Sequence, residues 1–164
     1  MPLYFAYGSN MHPDVMAERC RGAKAVGSAR LPGWRFHITK RGSASIIPAA
    51  EASVFGVLWR CLPAHIHLLD GYEGVAWGNY RRRRLVVDTA ARTHIPAFTY
   101  VNSRHYPGRA RVSYMATAIL PGAEAFDLPQ AYIDELRAWL PDRPIGETRN
   151  RYRGSRKLVR FPRS

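Results

Sequence analysis

Glu73 stands in the stretch "LDGYEGV", residues 69 to 75, with Tyr72 before it and Val75 two positions after it. A carboxylate held against aromatic and apolar groups loses hydration, which brings proton transfer toward neutral pH. Asp70 is three positions away, suited to fixing the turn or to acting as a second acid. That spacing does not establish two carboxylates facing one bond, and both acids also fit a solvated loop. A second stretch, "LYFAYGSNMHP" at residues 3 to 13, runs an apolar segment into Tyr7-Gly8-Ser9-Asn10. If Leu3 to Ala6 is a core strand, Gly8 lets the backbone turn and brings N–H groups close to a ligand. Ser9 and Asn10 then supply polar contacts or cap the next helix. A strand, a glycine turn and a cap also arise without any substrate.

Other chemistries find less support. Cys20 and Cys61 form no CxxC pair, and the six histidines contain no HExxH arrangement, so neither set carries a metal or redox signature. No apolar run approaches the roughly 18 residues of a membrane span, and the first residues lack the pattern of a signal peptide. The expected location is cytoplasmic. The 25 basic and 12 acidic residues give a formal charge of +13, nearly all of the cations being arginine. Such a surface attracts nucleic acid, receives small carboxylates, or is simply solvated.

The 164-residue length and 46% hydrophobic content fit one domain with one substantial core to hold these residues. Period-two patterns predict strands at 34–38, 52–62, 84–87 and 97–101, with Gly56 interrupting the second. Helices are predicted over 13–21, over 63–69 before an Asp70-Gly71 break, and over 129–140, where Tyr132, Leu136, Trp139 and Leu140 form an apolar stripe. Strands and helices mix without βαβ alternation. The expected fold is α+β, a strongly curved sheet or small mixed β-barrel with peripheral helices.

The ordered set "YFAYGSNM" (4–11), "VFGVLW" (54–59), "LDGYEGV" (69–75), Tyr80, "FTY" (98–100) and "SYMATAILPGAEAFDLPQAYIDEL" (113–136) resembles the γ-glutamylcyclotransferase family. The likeness covers most of residues 4 to 136. It implies a compact mixed β-barrel with surrounding helices, no metal and no organic cofactor. The implied reaction is intramolecular aminolysis of a γ-glutamyl amino acid or amine: the α-amine attacks the γ-carbonyl, closing 5-oxoproline and releasing the attached amine. By the same resemblance Glu73 is the proton-transfer residue, and Tyr4, Phe5, Ala6, Tyr7, Gly8 and Ser9 form the substrate cradle. Tyr114 helps close the γ-glutamyl pocket, while Asn10 supports the loop. Ser9 is assigned to positioning, because the substrate's own amine is the nucleophile.

The implied partner is therefore a small γ-glutamyl substrate, with no membrane and no stated oligomeric state. Arg81 to Arg84, and Arg104, Arg109 and Arg111, offer cations for a substrate carboxylate or a wet arginine surface. The whole chain, 1–164, reads as one domain with an Arg-rich C-terminal extension at 149–164. That extension resembles a nucleic-acid-binding tail by composition, a secondary role beside docking of Leu158, Val159 and Phe161 on the domain. The alternative to the enzyme is a nonenzymatic basic module that binds nucleic acid or another protein.

Overall fold

The computed structural model describes residues 1–141. The Arg-rich extension at 149–164 lies outside the described residues. Strand β1 (Leu3–Ala6) leads through a 3₁₀ turn (Ser9–Met11) into α1 (Pro13–Arg19). Two long strands follow, β2 (Lys24–Ile38) and β3 (Ala44–Arg60), then α2 (Pro63–Tyr72), a 3₁₀ turn (Val75–Trp77), β4 (Tyr80–Val87) and β5 (Ile95–Asn102). The chain then becomes helical: α3 (Val112–Tyr114), a π turn (Met115–Ile119), α4 (Leu120–Ala125) and, after a break, α5 (Gln130–Arg137).

The expected α+β class with a mixed sheet and peripheral helices is present, but the barrel is not. The strand order is β2-β3-β1-β5-β4, so β2 and β4 are open edges. Closing a barrel needs a continuous ladder between the outermost strands. Here they touch at one isolated bridge, where Arg30 and Asp88 exchange N–H···O bonds of 2.7 and 2.9 Å. The long β2 strand has its pairing committed to β3 from Lys24 with Arg60 to Ile38 with Ala44, the register shifting between Ala25 and Gly27 and again between Pro32 and Trp34, and among the described residues no second ladder forms on its other side. β1 is antiparallel to β3 and parallel to β5, which makes the sheet mixed.

Strand boundaries run further than the local patterns predict because pairing recruits residues of modest β preference. The Gly56 interruption does not occur: Gly56 pairs with Ala29 and the ladder continues in register on both sides. The Asp70-Gly71 break does not occur either. Helix α2 continues to Tyr72, and the turn is displaced to Glu73 and Gly74. Tyr132, Ile133 and Leu136 of α5 are buried, with the Tyr132 ring 5.2 Å from that of Phe55 on β3. The largest fully buried side chains include Phe5, Met11, Leu31, Ile46, Leu58, Leu69 and Met115, a core drawn from β1, its turn, the long hairpin, α2 and the π turn. Among the described residues no helix is long and apolar enough to cross a membrane.

Candidate active site

The site forms where the end of β1 meets the end of α2. Glu73 is the C-cap of α2, and its N–H donates to the Leu69 carbonyl at 2.9 Å. Gly74 follows with φ of +62°, in the left-handed region that a side chain disfavours. A Cβ there would also stand 2.5 Å from Asn79 Nδ2. This backbone turn leaves the Glu73 carboxylate inside the fold, 4% exposed. Gly74→Ala is expected to cost about 1–2 kcal/mol from the backbone alone, and to lower activity as the turn beneath Glu73 shifts. Chemical denaturation together with a kinetic assay checks it; unchanged stability would show that the turn absorbs a side chain.

On the facing wall the 3₁₀ turn carries Ser9 and Asn10, both buried. Gly8 has φ of −115°, so the sharp left-handed bend is not why glycine stands there. Close approach is: a Cβ would lie 3.2 Å from Ala44 Cβ and 3.4 Å from the Tyr114 hydroxyl. The cap of α1 is the His12 ring, whose Nδ1 accepts from the Asp14 N–H at 3.1 Å. Ser9 and Asn10 are thereby left for another partner, Arg19.

Arg19 closes α1 with its side chain turned inward, 6% exposed. Its Nη1 donates to Asn10 Oδ1 at 2.7 Å and to Ser9 Oγ at 3.3 Å, and its guanidinium lies 4.9 Å from the centre of the Tyr72 ring. A guanidinium only donates, so the Asn10 oxygen must face it and the amide nitrogen must face the other way. That nitrogen meets the Tyr4 hydroxyl at 2.9 Å and Glu73 Oε1 at 3.4 Å. Asn10 thus links the first turn to the carboxylate.

Four further hydroxyls surround Glu73. Tyr7 donates to the Tyr100 carbonyl, and Tyr100 donates to Asp70 Oδ1 at 2.6 Å. Tyr80 donates to the Ala44 carbonyl at 2.6 Å and lies 3.0 Å from Ser43 Oγ. Asp70 also sits 3.6 Å from Arg82, so it ties α2 to β5 and β4 rather than facing Glu73 as a catalytic partner. Tyr114 lies against Gly8 from the start of the helical run that contains the π turn.

Burial raises the pKa of Tyr4, Tyr7, Tyr80, Tyr100 and Tyr114, and the Glu73 charge raises each of them further. Tyr132 is raised by burial elsewhere in the core. The native state therefore favours the protonated phenols. Their contribution to stability is complete below the ordinary midpoint of about 10 and is lost as pH rises through the elevated native values. Of the nine tyrosines, these six are expected to ionise only together with unfolding. Phenolate absorbance followed beside circular dichroism checks this; six early ionisations in a folded protein would contradict the buried geometry.

An inner pocket of about 10 Å³, the volume of one water, is walled by the YGSN turn, Tyr4, Ala44, Tyr80, Tyr100 and Glu73. It shares Glu73 and Tyr80 with an outer cleft of about 910 Å³. Of the positions expected from the sequence, Tyr4, Tyr7, Gly8, Ser9, Asn10 and Glu73 come together on the inner pocket. Phe5 and Ala6 do not line it: Phe5 is core, its carbonyl accepting from Thr99 Oγ1 at 2.7 Å, and Ala6 pairs with Val57. Tyr114 stands behind Gly8. Sequence reasoning missed Ala44 and Tyr100 as pocket walls and Arg19 as the residue that orients Asn10; nothing local distinguishes these from other small, aromatic or basic positions. Among the described residues no His, Cys, Asp and Glu cluster has the makings of a metal site.

Open mixed sheet, tyrosine-walled pocket and a buried helix-end carboxylate define a small α+β protein with one polar site at the end of β1. The AIG2-like family profile matches residues 53–136. The γ-glutamylcyclotransferase of Mus musculus is 30% identical over 155 residues, covering 88% of this chain and 82% of that protein. That of Homo sapiens is 27% identical with the same coverage. A solved structure of a γ-glutamyl cyclotransferase superposes with a TM-score of 0.80 at 26% identity, covering 89% of this chain and 92% of its own. The chain belongs to the AIG2-like, γ-glutamylcyclotransferase family.

Proposed function

We propose that this protein is a γ-glutamylcyclotransferase that acts on a γ-glutamyl amino acid or amine without a metal or organic cofactor. Family membership supports the general reaction class. The finer reading rests on one observation: a buried carboxylate, Glu73, joined through Asn10 to a glycine-containing turn. The inner pocket has room for about one water, so of the γ-glutamyl arm only the carbonyl oxygen enters it, the rest seating where pocket and cleft meet, at Glu73 and Tyr80.

A free α-amine has a pKa of about 7.7–8.0, so much of it is protonated near neutrality and must lose a proton before it attacks. Glu73 accepts that proton. The amine nitrogen then bonds to the γ-carbonyl carbon, and the negative charge that develops on oxygen is held by backbone N–H groups at Gly8 and Ser9. Collapse breaks the bond to the departing nitrogen, which takes the first proton back from Glu73; the second proton of the attacking nitrogen then passes through the same carboxylate to the released amine, leaving a neutral lactam and an ammonium. Nucleophile and electrophile belong to one molecule, so folding the arm toward a five-membered ring is a large part of the work. The Tyr7 and Tyr80 hydroxyls, kept protonated by burial and donating to the Tyr100 and Ala44 carbonyls, fix the walls against which the arm folds.

Incubating purified protein with a panel of γ-glutamyl amino acids and γ-glutamyl amines, and measuring both 5-oxoproline and the released partner, tests the reading. Matched release of the two products is expected. No turnover by folded protein across the panel would overturn it.

A further inference from the structure

The proton-transfer chemistry leaves the charge of the outer cleft unexplained. Lys40 and Arg41 reach it from the β2–β3 turn, Arg104 from the segment after β5, and Arg111 from the residue before α3. All four side chains are exposed, and none belongs to an ion pair between described residues. Arg111 is braced, its guanidinium 5.7 Å from the centre of the Tyr114 ring and its chain against Gly42. Among the described lining residues Glu73 is the one acid, so the lining carries 4 − 1 = +3. Like charges brought together from three segments repel one another, and a cleft of one sign concentrates ligands of the other.

The γ-glutamyl arm contributes an α-carboxylate and an α-ammonium and so sums to zero. A leaving group with a single carboxylate would still leave the cleft at +2. Resting on the cyclotransferase reading, we propose that the cleft selects a leaving group with a second carboxylate, as in a γ-glutamyl dipeptide whose released amino acid is acidic. The arginine forks are suited to planar carboxylates, and a cationic leaving amine meets repulsion from all four residues.

γ-Glutamyl-glutamate and γ-glutamyl-glutamine are nearly isosteric and differ by one charge, and γ-glutamyl-lysine reverses its sign. At low ionic strength kcat/KM is expected to favour the glutamate compound over the glutamine compound about tenfold, the ratio shrinking as salt screens exposed charges. The lysine compound is expected to be poorest. The Arg104→Gln/Arg111→Gln double variant should lose more of its kcat/KM for the glutamate compound than for the glutamine one, drawing the ratio toward unity. Equal or inverted preference in the unaltered protein, or a ratio insensitive to both salt and the double substitution, overturns the proposal. The salt series needs no variant, so a misfolded double variant does not stop the test. Calorimetric binding of the three compounds to Glu73→Gln reads the charge preference without turnover. If the unaltered protein cyclises none of them, the reaction assignment falls, while the ratio of the binding constants still decides the charge preference.

Discussion

Glu73→Gln is expected to keep the fold and to lose about 10²–10⁴-fold in kcat, the range over which positioned acid–base groups act. Glutamine preserves the shape and can still accept from Asn10 Nδ2, so the contact with the first turn survives. What it cannot do is take up a proton from the α-ammonium and return it to the departing nitrogen. Substrate affinity should change far less than kcat. Circular dichroism and thermal unfolding establish the fold, and turnover across a pH series reads the chemistry. Activity near that of the unaltered protein at every pH would place proton transfer on another group.

Arg19→Met should have the second-largest effect, although Arg19 lies one residue removed from the reaction. Its guanidinium satisfies two buried acceptors, Asn10 Oδ1 and Ser9 Oγ. Leaving a buried acceptor without a donor costs about 1–3 kcal/mol. The Asn10 amide then keeps only its Nδ2 contacts, with the Tyr4 hydroxyl and with Glu73 Oε1 at 3.4 Å, and can shift away from the carboxylate. A displacement of this kind in a positioning element can lower the rate by about 10²-fold. Arg19→Lys keeps the charge and should recover part of the activity, since one ammonium can reach one acceptor but lacks the planar fork. The distinguishing readout is the split between kcat and KM. Lower stability with kinetics unchanged would make Arg19 a structural group only.

Some features that lie along the chain were legible. The apolar run of β1 stopping at Gly8, the Tyr132 and Leu136 part of the stripe on α5, which ends before Trp139 and Leu140, and the setting of Glu73 among Tyr72, Gly74 and Val75 are properties of adjacent residues. Long-range placement was not legible. Tyr100 on β5 reaches Asp70 on α2, and Tyr80 on β4 reaches Ala44 at the start of β3, both contacts between elements far apart in the chain. The barrel expectation failed for the same reason: alternation marks strands but does not say whether the outermost two will pair. The helix through Asp70-Gly71 shows tertiary context overriding a turn signal, with Leu69 buried below and Gly74 supplying the actual stop. Arg19 was hidden by abundance, one arginine among many with no local mark of burial.

An unclosed sheet also changes the meaning of the arginine run on β4. Arg81 to Arg84 are all exposed on a strand paired on one side only, with β5. Among the described residues no strand pairs with the other side, whose backbone donors and acceptors form a template on which a second chain can extend the sheet. Four successive cations make that approach costly, because an incoming copy would bring the same four charges alongside. The protection is electrostatic and therefore conditional: at about 1 M salt the screening length contracts to about 3 Å, and the guard on this edge weakens with it. Colloidal behaviour is thus expected to follow ionic strength through one strand, with light scattering across a salt series as the check, so that residues that looked in the sequence like a ligand surface gain a second, purely repulsive task.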